Sequence, residues 1–246
     1  MKTILLIGSR NKADFVLYLS HVISNLDKKV LIVDSTYDQI YRHGYTHLSK
    51  EEHLFDFQDI DILCGAKNWL QVEESLRTNN ETTTNYDVVL VDMDSVEAVT
   101  REWPTFDNRF YIGDEERLNQ VRDVELLHRL FDETENREMT RVQFEGRYKL
   151  DNSYFDNLMN NRTKWVSLSY SIEQDDFEAA LRTQMQHELA IPFKKLSKQY
   201  REVLTDLVSG LFEMHIHDIQ NAVKPSFFRF SSKRKKEHPQ LADSNI

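Results

Sequence analysis

Short apolar runs, each closed by a glycine or an acid, punctuate this chain, and stretches with helical spacing separate them. Residues 3–7 (TILLI) are the first run, closed by Gly8-Ser9. Residues 13–26 follow with Phe15, Val16, Leu19, Val22, Ile23 and Leu26, the i, i+3, i+4, i+7 pattern of an amphipathic helix. Residues 30–33 (VLIV) run into Asp34-Ser35-Thr36. The opening 36 residues therefore predict one β-α-β unit near its minimum length, and such crossovers imply parallel strands. The alternation continues. Strands are expected at residues 60–63, 88–91, 109–112, 141–144 and 165–168, and helices near 69–76, 115–132, 173–188 and 195–216. The helix over 115–132 is expected to bury Leu118, Val121, Val124, Leu127, Leu130 and Phe131. Residues 77–85 are polar and read as a loop. Continuous rather than alternating apolar strands mark a sheet covered on both faces. The expected fold is α/β: a doubly wound, mostly parallel sheet flanked by helices over residues 1–223, followed by a basic, flexible tail over 224–246.

Composition narrows the chemistry. The chain has 246 residues with only 6 glycines, about 2.4% against a usual value of roughly 7%. They lie far apart, which excludes the common glycine-rich phosphate loops, GxxxxGK[ST] and GxGxxG. Net charge is −10. Residues 224–246 hold six Lys or Arg and two acids, a local +4 that leaves −14 on the rest. An acidic body does not suit nucleic acid, so no nucleic-acid partner is expected. A single cysteine, Cys64, directly after an apolar strand, reads as a small buried residue in a reducing, cytoplasmic setting. The apolar run at 4–7 is too short for a signal sequence or a membrane span. His215 and His217 stand two apart and would face away from each other on a helix, while His43, His47 and His53 fall in a polar region. No metal site is expected from either group.

The strand, helix, strand ending in Asp (VLIVDST) and strand ending in DxD (VVLVDMDS), with the intervening IDILCG and the late WVSLSYS segment, resemble the ParA/MinD class of P-loop ATPases. The match over roughly residues 1–216 is most similar to the divergent branch called TadZ or CpaE, localisation factors in pilus assembly. The family's loop reads (K/R)GGxGK(T/S). Here Gly8-Ser9-Arg10-Asn11-Lys12-Ala13-Asp14 stands in its place, about four residues shorter. A phosphate cradle needs several backbone N–H groups pointing inward, and one glycine cannot supply that path. Ala13 replaces the hydroxyl that would hold Mg²⁺, and Asp14 puts a carboxylate at the positive end of the helix. Lys12 aligns with the loop lysine, Asp34 with the carboxylate after the second strand, and Asp92 with the Walker-B-like Asp. The resemblance thus implies a non-catalytic pseudo-ATPase with no cofactor. It would act as a localisation or scaffold factor for a membrane-associated machine, such as a pilus or secretion system, with protein partners and pairing of two copies. The alternative is a nucleotide-switched ATPase that holds ATP and Mg²⁺ through Lys12, Asp34 and Asp92.

The tail offers a further candidate. Phe227, Phe228 and Phe230, followed by Lys233, Arg234, Lys235 and Lys236, combine rings with a basic run. That combination suits either a protein partner or weak contact with an anionic membrane surface. Localisation is expected to be cytoplasmic, peripheral to the inner face of the membrane. No hydrolase motif such as GxSxG is present.

Overall fold

A computed structural model describes residues 1–46, 53–148, 151–166 and 169–224. His47 and the basic tail with its phenylalanines fall outside the described residues. The nine strands run β1 (Lys2–Ile7), β2 (Val30–Asp34), β3 (Leu54–Asp56), β4 (Ile60–Cys64), β5 (Val88–Met93), β6 (Asn108–Asp114), β7 (Glu138–Glu145), β8 (Lys164–Trp165) and β9 (Tyr170–Glu173). They form one sheet in the order β3-β4-β2-β5-β1-β6-β7-β8, with β9 also on β7. Every pairing is parallel except β3 with β4. The apolar strands β1, β2 and β5 lie in the middle and are buried almost throughout, as continuous runs require.

Nine helices surround the sheet among the described residues: α1 (Ala13–Ser24), α2 (Ile40–Gly44), α3 (Trp69–Thr78), α4 (Val96–Val99), α5 (Arg117–Glu133), α6 (Asn152–Leu158), α7 (Asp176–Glu188), α8 (Lys198–Phe212) and α9 (Ile216–Ala222). Alternate residues of each strand face opposite cores, the pleat's period of two made physical. Ile4 and Leu6 join Phe15, Leu181, Tyr200 and Leu204, so α1, α7 and α8 cover one face. Leu5 and Ile7 join Val72, Ala98, Leu127 and Phe155, so α3, α4, α5 and α6 cover the other. Among the described residues no helix is long and apolar enough to cross a membrane.

Two expectations need correction. On α5, Leu118 and Val121 are 59% and 53% exposed, and the buried side includes Gln120 and Asp123 as well as Leu126, Leu127, Leu130 and Phe131. Asp114 accepts from the Gln120 amide, and Ser9 and Tyr111 donate to Asp123, so the buried stripe is not the purely apolar one. The helix expected over 195–216 breaks at Glu213, which takes a left-handed conformation as the cap of α8, and α9 starts afresh. Of the strand expected at 165–168, Trp165 lies in β8, and 167–168 fall outside the described residues. A separate strand, β9, adds to β7 just beyond.

Candidate functional site

The carboxyl ends of β1, β2 and β5 meet at one edge, where open α/β sheets place their ligands. Gly8 leaves β1 pressed against β6. A Cβ there would stand 2.2 Å from the Ile112 carbonyl oxygen, so only glycine fits. Residues 8–12 then lead directly into α1. Three of the amides between Gly8 and Ala13 are engaged within the fold. Gly8 N–H donates to the Met93 carbonyl at 3.2 Å, Ser9 N–H to Asp123 Oδ1 at 2.6 Å, and Ala13 N–H to Asn11 Oδ1 at 3.2 Å. Asp123, projecting from α5, also accepts the Ser9 hydroxyl at 2.6 Å and the Tyr111 hydroxyl at 2.9 Å. It is fully buried, and burial raises its carboxyl to about 6 despite the opposing bonds from Ser9. A protein carboxylate thus takes the amide of Ser9 that a phosphate loop would offer to an anion.

Lys12 is fully buried. Its ammonium donates to the carbonyls of Gly8 at 2.7 Å and Met93 at 3.0 Å and forms an ion pair with Asp92 Oδ1 at 2.6 Å. An ammonium has three N–H donors, and three acceptors surround this one. Arg10, the other cation of the loop, also turns inward. Its guanidinium lies 3.5 Å over the Phe144 ring, with Asp114 3.6 Å away. Asp14 sits in the first turn of α1, 8% exposed, with Oδ1 unpartnered.

Parallel register sets Asp34 beside Asp92. Asp34 Oδ1 accepts the Thr36 hydroxyl at 2.5 Å and its N–H at 3.1 Å, and Oδ2 accepts the Tyr41 N–H at 3.2 Å. Tyr41 closes the cluster by donating its hydroxyl to Asp92 Oδ2 at 2.7 Å. Burial raises the Asp34 carboxyl to about 6, helped by the Asp92 charge and opposed by Thr36 and Tyr41. Burial also raises the carboxyl of Asp94, with the Lys12 charge opposing. The structure therefore joins Lys12 to Asp92 directly and Asp34 to Asp92 through Tyr41. Sequence reasoning missed Tyr41, which lies on the short α2, and Asp123. The one signal for Asp123 was a carboxylate in register with Leu126, Leu127 and Leu130.

Other candidates resolve simply. Cys64 is buried beside Asp34 in register, and burial with that neighbouring charge holds its thiol far above the usual range. His215 caps α9, while His217 meets Asn221 at 3.0 Å. Among the described residues no group of three His, Cys, Asp or Glu is placed to hold a metal ion.

No protein-family model matches the sequence, and no curated protein does. In three dimensions the chain is similar to MinD, a cell division protein of Aquifex aeolicus. The identity is 12% and the TM-score 0.55, over 87% of this chain and 98% of that one. It is also similar to apo McdA of Cyanthece, at 10% identity and TM-score 0.50, over 90% of this chain and 99% of that one. At such identities the likeness is one of backbone architecture: the chain has a ParA/MinD-like fold.

Proposed function

We propose that the chain is a non-catalytic ParA/MinD-like pseudo-ATPase of the TadZ type, acting through protein contacts as a cytoplasmic localisation or scaffold factor for a membrane-associated machine. The fold supports its ParA/MinD-like part, and the strand-end pattern that resembles TadZ supports the localisation role. The observation that carries it is the state of Lys12. A phosphate could reach its ammonium only by displacing Asp92 or a carbonyl, and separating a buried pair costs about 3–5 kcal/mol. That is a loss of about two to four powers of ten in affinity. Ala13 offers no hydroxyl to a metal, Asp14 opposes an anion at the start of α1, and the amides of Gly8 and Ser9 are spent.

Calorimetric titration of the full chain with ATP and Mg²⁺ at millimolar nucleotide tests the proposal. The expected outcome is no saturable heat and no phosphate release. Saturable heat that disappears in Lys12→Ala would overturn it in favour of a nucleotide-switched ATPase using Lys12, Asp34 and Asp92.

A further inference from the structure

A second buried cation lies away from this cluster. Arg109, near the start of β6, shares a sheet face with Tyr111 and is 8% exposed. Its Nη1 donates to the Asn136 carbonyl at 2.5 Å and its Nη2 to the Thr134 hydroxyl at 3.4 Å, both neutral acceptors. Nε–H has no partner. Among the described residues Arg109 makes no ion pair. Burial alone pulls its affinity for a proton down, with no carboxylate close enough to oppose. A guanidinium taken out of water without a counter-ion bears a desolvation cost that two hydrogen bonds to neutral acceptors offset only in part.

Beside it lies a cavity of about 220 Å³. Met93, Val99, Trp103, Phe106 and Leu130 give it apolar and aromatic walls, and Trp103 is fixed by its indole N–H on the Ala98 carbonyl at 2.8 Å. The acid in the lining, Glu133, is exposed at the end of α5, and Arg101, also in the lining, pairs with Glu97 at 3.4 Å. Cavities of about 150 Å³ admit a benzene ring. This one has room for a ring and a small charged group.

We infer that this cavity binds a small carboxylate carried on an aromatic ring, with the carboxylate on the Arg109 guanidinium and the ring against Trp103, Phe106 and Leu130. A planar guanidinium matches a carboxylate through paired N–H donors, and three of its five donors are unused here. The apolar walls supply burial, and Arg109 supplies the choice of charge. α4 begins just after the Asp92–Asp94 segment and contributes Val99 to the wall, so an occupied cavity would brace the segment that holds Lys12.

The test uses the full chain with benzoate and phenylacetate, and benzamide and benzyl alcohol as uncharged counterparts. Binding is followed by calorimetry and by tryptophan fluorescence. The expected result is saturable binding of an acid with Kd of about 1 mM or tighter, weakened about tenfold or more in Arg109→Met and for the uncharged compounds. The fluorescence response should vanish in Trp103→Phe. Val99→Phe, which fills the cavity and keeps Arg109, should also abolish binding, and it decides the matter if Arg109→Met does not fold. Failure of both acids to saturate, equal binding of the uncharged compounds, or unchanged binding in Val99→Phe would overturn the inference.

Discussion

Lys12 and Arg109 are both buried cations, and their surroundings are opposite. Lys12 donates hydrogen bonds to two carbonyls and pairs with a carboxylate, so its charge is met inside the fold. Arg109 has two neutral acceptors, a bare Nε–H and a cavity. The comparison separates two outcomes that burial alone does not distinguish. At the carboxyl ends of the strands, the protein's own acids and carbonyls stand where a family ligand would be sought. Beside α4 the fold leaves a cation whose anion must come from elsewhere.

The strongest way to break this contrast is Lys12→Met. It leaves Asp92 charged, buried and without its cation, so unfolding free energy should fall by about 3–5 kcal/mol in urea titrations. A loss under about 1 kcal/mol would mean that the pair is not held as described. Arg109→Met strands no charge and removes two hydrogen bonds to neutral acceptors. Its cost should be smaller, about 1–2 kcal/mol in the same assay. Equal losses in the two variants would erase the distinction.

A gentler probe is pH. Asp34 and Asp123 lie on the Lys12 side and titrate at about 6 in the folded chain, against 3.8 for a free carboxyl. Their folded forms hold protons more tightly than the unfolded ones, so the penalty they impose is complete above pH 6 and fades as pH falls toward 4. His21 acts in the other direction. Burial lowers it to about 4, so stability is lost as pH falls through 6.5 toward 4. Carbon NMR of the side-chain carboxyls should place both aspartates near 6. His21→Phe should turn the stability profile upward between pH 7 and 5, and midpoints near 4 for both acids would contradict their burial.

The sequence announced the central sheet because burial on two faces forces long apolar runs: β1, β2, β4 and β5 stand where TILLI, VLIV, IDIL and VVLV predicted them. It hid β3, α2 and α6, which are short and lack a full period of their own. It placed Val124, Leu127, Leu130 and Phe131 of α5 on the core side, where they lie, but added Leu118 and Val121, which look like core and are exposed. Gln120 and Asp123 come inside with partners at Asp114, Tyr111 and Ser9, and Ser9 stands 114 residues away in the chain. Lys12, Asp34 and Asp92 were legible as strand-end residues. Their pairing was not, since the link between the two acids is Tyr41, whose helix begins after a left-handed Gln39.

The strand order has a consequence for synthesis. β1 leaves the ribosome first, yet both of its neighbours, β5 and β6, are made much later. Until the polypeptide has grown past Met93, the TILLI segment has no edge to join, and β2 lacks one of its two sides. A nascent chain of this protein therefore carries a sticky, unzipped strand for a third of its length. The moment Val88–Met93 emerges and slots between β2 and β1 is the step that first covers the open edges of both.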